Sequence, residues 1–239
     1  MKLAVISDIH SNFAALRTCF EYINKIKPDK IVCLGDIVGY GPRPNECIEL
    51  VREHCQICLM GNHDHAVLGL TDTYYFNQYA REAINWTRRT LTIRNKAYLE
   101  GLPFSHHENE ILLVHSTPDH PEDWHYILSE YEANQHLNII SQKICFVGHS
   151  HIPVVYGTDS PSRYEEEIKL NLKKERFIVN VGSIGQPRDG DPRLCFALFD
   201  SETSMLKYVR LEYPISETYD EILENQLPPF LAMRLSAGH

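Results

Sequence analysis

No apolar run in this chain of 239 residues approaches the ~20 residues that a membrane-spanning helix needs. A membrane-embedded helical protein is therefore excluded. Positive charge is also scarce: 23 Lys and Arg face 32 Asp and Glu, a formal net charge of −9. That balance opposes loose binding to a nucleic-acid backbone, which needs clustered cations. There is no repeat, low-complexity tract or long linker, so one domain is expected over residues 1–239. The opening MKLAVISDIH has no small-residue cleavage pattern and reads as a buried first strand, not a signal peptide. The seven cysteines are an odd set placed mostly inside apolar runs, which suits reduced thiols in the cytoplasm. Cys55 and Cys58 form one isolated C-x-x-C, too little for a zinc or redox site. Histidine is the abundant exception, at thirteen residues.

Six segments share one design, a short apolar run, then a sharp turn, then unusual polar residues. KLAVIS leads to Asp8 and His10, KIVCLG to Asp36, and QICLMG to Asn62 and His63. EILLVH ends at His115, KICFVG leads to His149 and His151, and FIVNVG to Ser183. Continuous apolar runs suit strands covered on both faces. Between them, Phe13, Leu16, Phe20, Ile23 and Ile26 recur at helical spacing after Ser11, a candidate N-cap, and Pro44–His54 reads as a second helix. Strands alternating with helices predict an α/β fold, in which sites gather at the carboxyl ends of strands. A mostly helical stretch is expected at about 67–105, with Tyr74, Tyr75, Phe76, Tyr79, Trp86 and Tyr98 packing its helices. LCFALFD…MLKYVRLEY predicts a hairpin, and His106 and His107 a loop.

Asp8, His10, Asp36, Asn62, His115, His149 and His151 make a mixed set of nitrogen and oxygen donors too rich for a single tetrahedral zinc. The set suits two divalent ions sharing a carboxylate, and imidazole with carboxylate favours Mn, Fe, Zn, Ni or Co.

The motifs D8-I-H10, G35-D36, G61-N62-H63-D64, H115 and G148-H149-S150-H151 occur in the order and spacing of the calcineurin-like metallophosphoesterases. SDIHSNFAAL, GDIVGYGPRPNE and VNVGSIGQPRDGDPR resemble a bacterial and archaeal branch related to diadenosine tetraphosphatases. The resemblance implies a four-layer α/β/β/α sandwich, two mixed sheets flanked by helices. It implies that Asp8, His10 and His151 hold one ion and Asn62, His115 and His149 the other, with Asp36 bridging. It implies that a hydroxide bridging the ions attacks phosphorus in line, and that His63 is not a ligand but protonates the leaving oxygen. Asp64 is then a candidate to orient His63 or to cap a helix, and His65 a bystander.

The sequence departs from the protein phosphatases of this superfamily, whose G-D-x-V-D-R-G supplies an aspartate to orient the catalytic histidine and an arginine to grip phosphate. Here Gly39, Tyr40 and Gly41 stand in those places. Arg188 or Arg193 is the candidate replacement cation, Ser183 is a candidate phosphate contact, and Asn12 is a candidate to contact phosphate or simply to start the helix. In the loop 116–126, Trp124 and Tyr126 are candidates to stack on a nucleobase. The expected activity is hydrolysis of small phosphomonoesters, phosphodiesters or nucleotides, with no membrane partner and with a homo-oligomer allowed. A metal-dependent nuclease and a non-catalytic protein-binding scaffold are the rival readings.

Overall fold

Leu3 and Val5 point to one side of the first strand, Ala4 and Ile6 to the other, and all four are buried. A strand covered on both faces must lie inside layers, and the computed structural model shows which. It describes residues 1–239 apart from the side chain of Tyr75, so the packing expected of that tyrosine lies outside the described residues. The strands are β1 (Lys2–Ile6), β2 (Lys30–Cys33), β3 (Ile57–Cys58), β4 (Ser105–Glu108), β5 (Ile111–Val114), β6 (Ile144–Val147), β7 (Val154–Gly157), β8 (Glu167–Lys169), β9 (Phe177–Asn180), β10 (Leu194–Asp200) and β11 (Met205–Leu211). One sheet runs β3-β2-β1-β10-β11-β8 and the other β4-β5-β6-β9-β7. Both are mixed: β1, β2 and β3 are parallel, as are β5, β6 and β9, while β10 pairs antiparallel with β1 and β7 with β9.

Leu3, Val5, Val32 and Leu34 of the first sheet meet Leu113, Phe146, Phe177 and Val179 of the second in one buried cluster. The outer face of the first sheet, including Ala4, Ile6 and Cys33, is covered by α1 (Phe13–Ile26) and α2 (Pro44–His54) through Leu16, Phe20, Ile48 and Val51. Three short helices follow: α3 (Asn62–Val67), α4 (Gln78–Thr90) and α5 (Ile93–Glu100). The outer face of the second sheet packs Val114, Cys145 and Ile178 against Ala133 and Leu137 of α6 (Glu130–Leu137). The result is a four-layer α/β/β/α sandwich.

Two local expectations are corrected. The N-cap of α1 is Asn12, whose side chain accepts from Ala15 N, rather than Ser11. His106 and His107 lie in β4, an edge strand, not a loop. The chain after the β10–β11 hairpin forms α7 (Ile215–Glu224) and α8 (Pro229–Met233), which cover Tyr40 together with Ala80 and Ala83 of α4. Among the described residues no helix is long and apolar enough to cross a membrane.

Candidate metal centre

Each chemically unusual residue follows the carboxyl end of a strand, and the backbone there is bent sharply. Asp8, His10, Asp36, His149 and His151 all have φ between 50° and 65°, the left-handed region. Non-glycine residues seldom adopt it, though Asp and His do so more than most. Holding five donor residues there costs free energy, and such strain gathers at functional sites. The turns let side chains from both sheets converge. Asp8, His10, Asp36 and Asn62 come from the first sheet, and His115, His149 and His151 from the second.

Two donor groups result, and they share Asp36. In the first, donor atoms of Asp8, His10, Asp36 and His151 lie within 4.8 Å of one another; in the second, those of Asp36, His115 and His149 do. Asp36 is split between two tasks. Its Oδ1 accepts the His63 N–H at 2.8 Å, at the start of α3. Its Oδ2 is buried with no hydrogen-bond partner, 3.6 Å from His10 Nε2 and 3.5 Å from His115 Nε2. Oδ1 of Asn62 lies 3.2 Å from the same nitrogen of His115, so it faces the second group.

Backbone carbonyls fix the imidazoles. His10 Nδ1 faces Val38 O at 3.2 Å, His151 Nδ1 faces Gln186 O at 2.6 Å, and His149 Nε2 faces Trp124 O at 2.9 Å. A carbonyl only accepts, so each facing nitrogen carries the proton and leaves the other with its lone pair. His10 Nε2 and His151 Nε2 therefore meet at 3.1 Å as two acceptors. Two lone pairs, an orphaned carboxylate oxygen and a second carboxylate form an arrangement that a cation would stabilise. The donor set fits the pair of divalent ions expected of it.

Protonation agrees. Burial pushes His10 and His151 down, and His149 down to about 3, which keeps these rings neutral and able to ligate. His115 is the exception. Burial opposes its charge most, but the charge of Asp36 beside it, with help from Asp8 and Asp64, raises it to about 9. A proton on His115 supplies the positive charge that Asp36 lacks.

His63 is 3% exposed and packs edge-on against His10, with ring centroids 4.8 Å apart. Burial lowers it to about 4 against the pull of Asp36. Its Nδ1 has no hydrogen-bond partner. The reason is steric: a Cβ placed on Gly39 would fall on that nitrogen, so backbone occupies the space where an orienting carboxylate would have to stand. Asp64 does not fill the role. Its carboxylate accepts from Gly61 N, Val38 N and Ile37 N at 3.1, 3.1 and 3.3 Å, capping α3 and pinning the Asp36 loop. Burial and the Asp36 charge, the larger influence first, raise Asp64 to about 7.

The expected phosphate contacts divide. Arg188 lies at the site: its Nη2 is 3.0 Å from Gln186 Oε1 and 3.5 Å from Tyr40 Oη, and its charge acts on His63 and His151. Arg193 instead forks onto Asp191 at 2.6–3.1 Å on an exposed loop. Asn12 is fully committed, with Nδ2 on Gly185 O and Tyr213 Oη and Oδ1 taking Ala15 N and Thr218 Oγ1. Ser183 Oγ donates to Asp8 O and accepts Gln186 N, both at 2.8 Å, and supports the Asp8 turn. Arg234 also stands at the site. It lies 5.9 Å from the Tyr40 ring, which Arg188 approaches to 6.0 Å, and its Nε donates to His239 O. No spacing in the sequence marks it.

A cleft of about 590 Å³ opens beside the centre, with Asn62, His63 and His149 at its floor and Tyr40, Phe76, Trp124 and Tyr126 among its walls. Phe76 packs against the helical clusters as expected and also lies edge-on to His63 at 5.1 Å. His65, expected to stand apart, also lines the cleft and is 2.7 Å from Thr71 Oγ1.

Residues 1–178 match the family described as calcineurin-like phosphoesterase. The uncharacterized protein MJ0912 of Methanocaldococcus jannaschii is 40% identical over 99% of this chain and 98% of its own length. A metallophosphoesterase crystal structure from Sphaerobacter thermophilus superposes with a TM-score of 0.90 at 38% identity, covering 100% of this chain and 99% of the other. The hypothetical protein PH1004 of Pyrococcus horikoshii OT3 shares the fold, with a TM-score of 0.83 at 23% identity over 100% and 98% of the two chains. Fold, motif order and these likenesses agree: the chain belongs to the calcineurin-like phosphoesterase family.

Proposed function

We propose that the protein is a dinuclear metal-dependent hydrolase of small phosphomonoesters, phosphodiesters or nucleotides. The observation that carries this reading is the bare Oδ2 of Asp36 set between two converging donor groups. Asp8, His10 and His151 would hold one ion and Asn62, His115 and His149 the other, with Asp36 shared. Bound there, two divalent ions supply Lewis-acid charge to a phosphoryl group and bring the pKa of water towards neutrality.

The chain's own residues do the rest. Arg188, without a carboxylate partner among the described residues, offers its guanidinium to phosphoryl oxygens. Nδ1 of His63 is sealed against Gly39. Its Nε2 is then the atom that holds a proton for the leaving oxygen. Burial keeps the empty ring neutral, and an arriving anion raises its proton affinity, so the acid is armed by its substrate. Asp64 is assigned to positioning the Asp36–Val38 loop. The seven free thiols support a reducing compartment such as the cytoplasm. The rim of the cleft is acidic at Asp72, Glu122 and Asp123, which speaks against a nuclease.

The test is hydrolysis of p-nitrophenyl phosphate and its bis ester by protein reconstituted with each candidate metal. Asp36→Asn should abolish turnover and weaken metal uptake. Native protein with neither stoichiometric metal nor hydrolysis would instead favour a binding scaffold.

A further inference from the structure

The cleft beside the centre has a polarity that bears on what can leave through it. Its inner end meets the donor residues and His63, with Arg188 beside Tyr40. Its walls are aromatic and already fixed. Tyr126 stacks on His149 at 3.9 Å and 17°, Trp124 lies 5.6 Å from His65 and 5.7 Å from Phe104, and Phe76 abuts His63. Rings held by their neighbours lose little freedom when a flat ligand enters. The volume, about 590 Å³, is in the range of small-molecule sites. The outer part carries Asp72, Glu122 and Asp123, all exposed, and no Lys or Arg is among the lining residues described.

Resting on the phosphoesterase reading, we propose that this cleft is a leaving-group subsite for an uncharged alcohol that carries a flat base, the nucleoside of a nucleoside monophosphate, and that its three outer carboxylates select against leaving groups bearing further phosphates. With the scissile phosphoryl group at the donor residues beside His63, the ester oxygen faces the cleft. Adenosine leaving from AMP brings a flat base and no charge to the walls. ADP leaving from ATP brings additional phosphates towards three carboxylates. Water addition to phosphorus and cleavage of the P–O ester bond yield phosphate and the alcohol, whose oxygen takes a proton. No other reactant is required.

Three carboxylates at several ångströms in a solvated cleft amount to about a tenfold discrimination. The test measures kcat/KM of the metal-loaded protein for AMP, ATP and diadenosine tetraphosphate, and repeats it with Asp72→Asn, Glu122→Gln and Asp123→Asn combined. AMP should be favoured about tenfold or more, and the combined variant should shrink the ratio. The ratio is the readout, so a general loss of rate cancels. In parallel, adenosine should quench tryptophan fluorescence of the wild type, and Trp124→Phe should lose that quench while Trp86 still reports. A preference for ATP, or a ratio untouched by the combined variant, overturns the selectivity. Absence of the adenosine quench in protein that cleaves p-nitrophenyl phosphate overturns the subsite alone. Protein that cleaves no ester but shows the Trp124-dependent quench retains the subsite and fails the phosphoesterase reading.

Discussion

Gly39→Ala adds one methyl group and tests the chemistry assigned to His63. Gly39 has φ +95°, where an L side chain is strained, at roughly 1–2 kcal/mol. The new Cβ would lie 3.0 Å from Cγ and 3.1 Å from Cβ of His63 and closer still to Nδ1. Carbon atoms settle about 3.5–4.0 Å apart, so the ring must retreat by roughly half an ångström to one ångström. A displacement of that size at a reacting group can cost about 10²-fold, within the ~10²–10⁴-fold that general-acid help is worth. The expected result is a fall in kcat on an aryl phosphate of about two orders of magnitude, with metal content unchanged because no donor residue is touched. His63→Ala sets the floor, and the double variant should fall no further than His63→Ala does, since the two changes act through one group. Melting temperature and metal analysis accompany the kinetics. A Gly39→Ala protein that is folded, loaded and as fast as the wild type refutes both the steric reading and the acid role.

Two further outcomes are expected. In metal-free protein His115 is raised from its usual 6.5 to about 9 by Asp36 despite burial, so its contribution is complete below pH 6.5 and is lost as pH rises through 9. Chelator-treated protein should lose on the order of 3 kcal/mol across that window, and His115→Gln or metal loading should remove the slope; an identical slope in His115→Gln rejects the assignment. Asn12→Ala removes a helix cap and the long-range bonds to Gly185, Tyr213 and Thr218, so it should cost about 2 kcal/mol in denaturant unfolding and leave KM within about twofold. A raised KM at unchanged stability would return Asn12 to the substrate.

The candidate site was legible because each apolar run ends where its donors begin, and a strand buried on both faces needs no long-range knowledge to recognise. Asp8, Asp36 and His115 follow such runs directly. What each neighbouring polar group does was less legible, because the deciding partner is remote. Asn12 is held by Tyr213 and Thr218, some two hundred residues later. Asp64 reads as a partner for the adjacent His63, but the turn at Gly61 and the folded loop at Ile37–Val38 present three N–H donors that claim its carboxylate first. Phe76 is the helix-packing aromatic its pattern suggests, and only the fold shows that it also abuts His63. The short edge strands and the five-residue α8 are too short to show a period, and tertiary contact rather than local pattern stabilises them.

The donor residues straddle the two sheets. His10 approaches His151 across 141 positions of sequence, and Asn62 approaches His115 across 53. A cation held by such a group joins distant parts of the chain, much as a crosslink does, and denies the unfolded chain the freedom of those long loops. Ions held there would therefore also be rivets between the halves of the sandwich. Their removal should loosen the seam between the sheets at the ends that bear the donors, while the apolar interior of the two sheets stays shut.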